Sequence, residues 1–197
     1  IRPYSGILLF LFLLLLFHFS WKIAVDGDRG GNFMYIFGKD ITPSWFLSVD
    51  RALTRIVGWF VHLFPNTDDL VVGEQSLSFP DGGIYIGIVW GCTGIKQLFI
   101  FTGIMLCYKG PFLRKLYYIP IGWIILSIYN VMRIGLITIF TNGHPDRYES
   151  LHDGIFRFIY YGIVFALWVY WEEFIVNKNK ISDLCKLFRK NSSKLEN

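Results

Sequence analysis

Three reactive residue types stand where membrane-surface chemistry would need them. Cys92 sits in Trp90-Gly91-Cys92-Thr93-Gly94-Ile95-Lys96, where an acid-bearing polar stretch runs into an apolar one. Arg133 lies inside a second apolar run, and His152 heads a third. Together a thiol, a guanidinium and an imidazole can run acyl transfer. The thiolate attacks a carbonyl, the cation holds developing negative charge, and the imidazole moves protons. Each also has a plainer reading: Cys92 as a small packing residue, Arg133 as helix glue bonded to neighbouring carbonyls, His152 as an interfacial polar residue.

The spacing sharpens these candidates. Of the other cysteines, Cys107 lies about 22 Å further along the helix that Cys92 is expected to open, and Cys185 falls in a basic tail. Cys92 therefore has no disulfide partner in the chain, and an unpaired thiol at an exported face stands out. The N-terminal end of the following helix and Lys96, one turn on, would favour its thiolate. Gly91 and Gly94 allow close backbone approach. Arg133 is expected about 12 Å below the outer end of its helix. An arginine there costs at least about 2.5–3.5 kcal/mol to insert, so it should face protein or water. Asn130, one turn away, could orient it. Asp146 with Glu149 resembles a capping box, and a helix starting there sets His152 at the membrane surface, near Asp153 and Arg157. His144 is the rival base. His18 and His62 read as packing or interface residues.

The elements that must position these residues are membrane helices. The chain has 197 residues, 53% of them hydrophobic and gathered in long runs, which excludes an ordinary soluble core. Expected spans are 4–25, 91–108, 116–140 and 146–175, in one integral membrane domain covering 1–197. The first is read as an anchor, since no clean cleavage site follows it. Residues 43–64 carry Ser44, Ser48, Arg51, Arg55 and His62 as one polar stripe among aromatics. They read as an interfacial helix, with a fifth span as the alternative. Residues 70–90 alternate apolar and polar around Pro80-Asp81-Gly82-Gly83, the pattern of a hairpin. The expected fold is thus an all-α polytopic membrane protein. It is a bundle of four transmembrane helices, or five if 43–64 crosses, with an amphipathic interfacial helix and a small extracytoplasmic β-hairpin.

Charge sets the orientation. The loop with Lys109, Arg114 and Lys115 holds no acid, and the tail 177–197 carries Lys178, Lys180, Lys186, Arg189, Lys190 and Lys194 against Asp183 and Glu196. Both are expected in the cytoplasm, and the tail against lipid rather than nucleic acid. Residues 65–91 hold Asp68, Asp69, Glu74 and Asp81 and no Lys or Arg, so Cys92 and His152 are expected at the outer face of the cell's inner membrane. The first residue is Ile1, which leaves the true start open. The sequence holds no metal-ligand cluster, phosphate loop or Gly-x-Ser-x-Gly element, and no metal or cofactor is expected.

These residues resemble the exosortase/archaeosortase family of membrane-embedded cysteine transpeptidases. Gly91-Cys92-Thr93-Gly94 is similar to its Cys-x-Gly element opening a span. Tyr129-Asn130-Val131-Met132-Arg133-Ile134 is similar to its Asn-x-x-Arg element in the next span. Leu151-His152-Asp153-Gly154 matches the histidine that opens the span after that. The resemblance covers about residues 71–171, and residues 43–64 look like the amphipathic segment of compact members. It implies Cys92 as nucleophile, Arg133 as stabiliser of the thiolate or oxyanion, and His152 as the group that protonates the leaving amine and then activates the acceptor. It also implies the partners: exported proteins with a C-terminal tripartite sorting signal, membrane lipid, and an acceptor nucleophile (lipid, glycan or water). From another class, a non-catalytic membrane accessory protein with Arg133 as structural glue remains the alternative. A small permease fits poorly, because the chain has no repeats and one ionisable residue deep in the bundle.

Overall fold

The computed structural model describes residues 4–25, 35–36, 39–40, 43, 45–80 and 84–177. Its frame is helical: α1 (Tyr4–Ala24), α2 (Phe46–Val61), α3 (Ile95–Cys107), α4 (Phe112–Thr141) and α5 (Phe156–Tyr170). Two short pairings interrupt it. β1 (Tyr35–Ile36) pairs with β2 (Lys39–Asp40), and β3 (Val71–Val72), β4 (Ser76–Phe79) and β5 (Ile84–Gly87) form an antiparallel sheet in that order. This is an all-α membrane protein carrying a small β-hairpin. Three helical stretches are long and apolar enough to cross a bilayer: Ser5–Ala24, Phe112–Thr141 and Pro145–Asn177.

α1, α3, α4 and α5 make the bundle. Apolar runs form helices here because, inside lipid, every backbone polar group must bond within its own segment. Phe10 stacks on Trp168 at 4.7 Å, and the cluster continues through Ile100, Ile104, Leu126, Tyr160 and Val164. α3 is short. Its 13 residues span about 20 Å, against about 45 Å for the 30 residues of α4. The C-terminal end of α3 is closed by Lys115, whose ammonium donates to the carbonyls of Leu106, at 3.0 Å, and Tyr108. Those carbonyls have no intrahelical partner, and a cation suits that end of a helix. Lys115 is therefore buried in the bundle rather than free in the basic loop where the sequence suggested it.

The expected hairpin is β4–β5, with Leu77 opposite Ile86 and Ser78 opposite Tyr85. Leu77, Phe79, Ile86 and Ile88 turn to the core. β3 extends it to three strands, which the sequence pattern did not signal. Residues 81–83 of the expected turn and the basic tail 178–197 lie outside the described residues.

α2 has three faces, where the sequence suggested two. Phe46, Asp50, Thr54, Val57 and Val61 are buried. Ser48, Arg51 and Arg55 form the polar stripe, and Arg51 bonds Glu74 at 2.9 Å. Trp45, Val49, Ile56, Trp59 and Leu63 remain exposed at spacings of three and four, a continuous apolar stripe. The helix docks on the outer half of α4, where Gly135 leaves room for the Phe60 ring.

Candidate functional site

The site is built around a bend. The backbone leaves β5, runs through Ile88, whose N–H is held by the Gln75 carbonyl, and enters a 3-10 turn, Trp90–Cys92. Trp90 anchors that turn. It is buried, stacked on Trp21 of α1 at 5.8 Å and tilted against Phe46 of α2 at 5.4 Å. The Thr93 hydroxyl closes the turn on the Trp90 carbonyl at 2.7 Å. Gly94 then takes φ +78° and starts α3. A Cβ there would stand 3.1 Å from the Tyr160 hydroxyl and 3.2 Å from the Asn130 side chain, so both conformation and space require glycine. Gly91 differs: a Cβ there would meet nothing within 4 Å. The close approach expected of both glycines applies to Gly94 alone.

Cys92 therefore sits before α3 and not in its first turn. The left-handed residue Gly94 separates the thiol's turn from the helix, so the expected support from the helix N-terminus is indirect. The direct support comes from α4. Asn130 Nδ2 donates to the Cys92 carbonyl at 2.7 Å. The sequence suggested that Asn130 orients Arg133; instead it fixes the cysteine's backbone. Its Oδ1 and the Nε of Arg133 are both buried with no hydrogen-bond partner among the described residues.

A cavity of about 560 Å³ opens beside this turn. Cys92, Lys96, Arg133 and His152 all line it, and so does Gly91. Arg133 is buried at its base, held on a helix that packs against α2, α3 and α5. His152 is half-buried and stacked on Tyr148, with ring centroids 5.2 Å apart and planes 13° apart. His144 is exposed and is not part of the lining. Cys107 is exposed at the other end of α3.

The helix start expected before His152 takes another form. Pro145–Arg147 is a 3-10 turn, Ser150–Ile155 is a π turn, and α5 begins only at Phe156. Neither His144 nor Glu149 makes a side-chain cap, so the Asp146–Glu149 capping box does not form. The wide turn and the break at Gly154 (φ −92°, ψ −106°) set His152 ahead of α5 rather than on it.

Several lining residues were missed in the sequence. α1 supplies His18, Trp21 and Lys22; α3 supplies Gln97; and α5 supplies Arg157, Tyr160 and Tyr161. His18 Nδ1 lies 3.1 Å from the Tyr161 hydroxyl, so it is neither isolated nor simple packing. The signal was available: residues 18, 21 and 22 share one helical face.

The arrangement suits acyl transfer. A thiol, a buried guanidinium and an imidazole share one water-sized recess, and the recess holds several further donors.

Comparison with curated proteins and with solved structures returns no match. Comparison with family models matches the transmembrane exosortase family over residues 10–171. That span begins in α1 and ends just past α5, and so takes in each wall of the cavity. The chain belongs to the transmembrane exosortase family, whose defining activity is cysteine-based transpeptidation of C-terminal sorting signals.

Proposed function

We propose that Cys92 is the nucleophile of this transpeptidase, with Arg133 and His152 as its partners. One observation carries the reading: the three side chains come from separate elements, the 3-10 turn, α4 and the π turn, and line one cavity. The Cys92 sulfur attacks the scissile carbonyl, and a C–S bond forms as the peptide's C–N bond breaks. Arg133 holds the thiolate or oxyanion charge in a site where water screens little. His152 gives a proton to the leaving amine. The product carried on Cys92 is a thioester, which an acceptor nucleophile resolves.

The reading includes a topology. α1, α3, α4 and α5 cross the membrane, α2 lies in the interface, and the C-terminus is cytoplasmic. α4 spans about 45 Å against about 30 Å of hydrocarbon. If its first residues sit at the inner boundary, the outer boundary falls near Arg133, and the sheet and α2 stand above it. The exposed apolar stripe of α2 then faces lipid while Arg51 and Arg55 face water. Substrates are exported proteins with a C-terminal signal whose apolar span lies beside the bundle and presents its outer junction to Cys92.

The test is Cys92→Ala with Cys92→Ser in reconstituted enzyme. Both should insert and fold, and both should lose substrate cleavage and the covalent adduct seen by mass spectrometry. Normal cleavage by Cys92→Ala would end the thioester mechanism.

A further inference from the structure

The cavity has a wall for which peptide cleavage gives no use. α1 supplies His18 and Lys22 to it, and α5 supplies Arg157 and Tyr161. Four lining residues are cationic (Lys22, Lys96, Arg133 and Arg157), and none of the lining residues is an Asp or Glu. Like charges gathered in a recess repel one another, and a bound anion relieves that repulsion. Two cations would serve a thiolate and an oxyanion; Lys22 and Arg157 exceed that need.

We propose that this wall is the acceptor subsite: Lys22 and Arg157 hold a phosphate-bearing headgroup, and His18, oriented by Tyr161, takes the proton from the headgroup's nucleophile. The proposal rests on the cysteine reading above. Its core is the His18–Tyr161 pair, which bridges α1 and α5 at 3.1 Å. With the proton on Nδ1 and donated to the Tyr161 oxygen, the lone pair lies on Nε2, the form of imidazole that accepts a proton. The location points to phosphate. Lys22 lies in the last turn of α1, whose Ile7, Leu11, Leu15, Phe19 and Ile23 are exposed as on a lipid-facing helix. Beyond such a surface, at its end, lies the headgroup layer, where phosphate is the abundant anion.

The step balances without a redox partner. The acceptor's N–H or O–H group attacks the thioester carbonyl, and a C–N or C–O bond forms. The C–S bond breaks, and its electron pair leaves on the Cys92 sulfur. The acceptor's proton passes to His18 and then to the thiolate or solvent. His152 keeps the leaving amine of the first half-reaction.

The test separates the two half-reactions. Full-length enzyme is reconstituted in vesicles of phosphatidylcholine alone, of phosphatidylcholine with phosphatidylethanolamine, or of phosphatidylcholine with soluble phosphoethanolamine outside. A signal peptide is added, and the acyl-enzyme and products are followed by mass spectrometry. Wild type should give a peptide–lipid product with phosphatidylethanolamine; a phosphoethanolamine product would assign the site to the free headgroup. His18→Gln should acylate within about threefold of wild type but transfer about 100-fold more slowly, so that the acyl-enzyme accumulates. The acidic limb of its transfer pH profile should vanish. Lys22→Gln should raise the acceptor concentration needed for half-maximal transfer about tenfold. Tyr161→Phe keeps the ring packing and should repeat the His18 effect more weakly, even if His18→Gln lowers protein yield.

Equal losses of acylation and transfer in His18→Gln would overturn the proposal. So would an acylation defect alone in Lys22→Gln, which would give the cations to the peptide substrate. A product without phosphate in every vesicle would overturn it as well. Absence of acyl-enzyme in wild type would instead bring down the Cys92 reading, and this proposal with it.

Discussion

Lys115 and Arg133 are both buried cations on α4, five turns apart, and they are used in opposite ways. Lys115 spends its donors on the last carbonyls of α3, at Leu106 and Tyr108. Arg133 lines the cavity, and its Nε has no partner among the described residues. Burial is common to both and so cannot mark function. Unmet hydrogen-bonding capacity beside open space can, because a buried donor left unpaired costs about 1–3 kcal/mol unless something else collects it.

The largest expected effect tests Arg133. Arg133→Lys keeps the charge and loses the planar fork of donors. Transpeptidation per inserted molecule should fall by about 100-fold or more, at near-normal protein level. A wild-type rate would reduce Arg133 to the same standing as Lys115.

The converse substitution is Lys115→Met. It leaves two carbonyls at the end of α3 without a donor, and should lower unfolding stability in detergent by about 2 kcal/mol. Turnover per folded molecule should be unchanged. A loss of turnover matching that of Arg133→Lys would break the contrast.

Asp50 sharpens the rule, because it has an unpartnered atom and no cavity. It is buried in α2, and Gln75 Nε2 donates to its Oδ2 at 3.3 Å while Oδ1 has no partner among the described residues. Burial pushes its carboxyl up to about 6, against the lowering pull of the Gln75 bond. The folded state thus binds this proton more tightly than the unfolded chain. The stability contribution is favourable at acid pH and is lost as pH rises from the ordinary carboxylate range through about 6. The thermal unfolding midpoint should therefore rise as pH falls from about 7 to about 5. Asp50→Asn should flatten that dependence. An equal slope in the variant would place the titration elsewhere.

The smallest effect separates the two described thiols. Cys107 is exposed at the far end of α3 from the cavity. Cys107→Ala should change neither turnover nor stability by more than about 0.5 kcal/mol. A larger loss of turnover would mean that the inner end of the bundle communicates with the cavity.

What could be read from the sequence follows residue type. A cysteine, an arginine and a histidine are rare enough among apolar runs that each stands out, and their meeting in one cavity could be anticipated from span order alone. The β4–β5 register was legible because Leu77 and Phe79 alternate with serines. Contacts made by backbone or across distant helices were not. Nothing local says that Asn130 reaches a carbonyl rather than Arg133, or that Gly94 separates Cys92 from α3. His18 was hidden by the leucines around it, although its spacing to Trp21 and Lys22 held the clue. The two apolar faces of α2, one docked and one bare, merge in any two-class pattern of polar and apolar residues. The Asp146–Glu149 pair fitted a local motif, but the wide turn that carries His152 into the cavity took its place.

The bond from Asn130 to the Cys92 carbonyl spans 38 residues of chain. Synthesis runs from the N-terminus, so the ribosome delivers the thiol well before the amide that fixes its backbone. Arg133 follows, and the turn with His152 comes last. A nascent chain passing through the insertion machinery thus carries its cysteine without the groups that hold charge or move protons. Newly made polypeptides crowd that neighbourhood, and the order of translation keeps them from being cut.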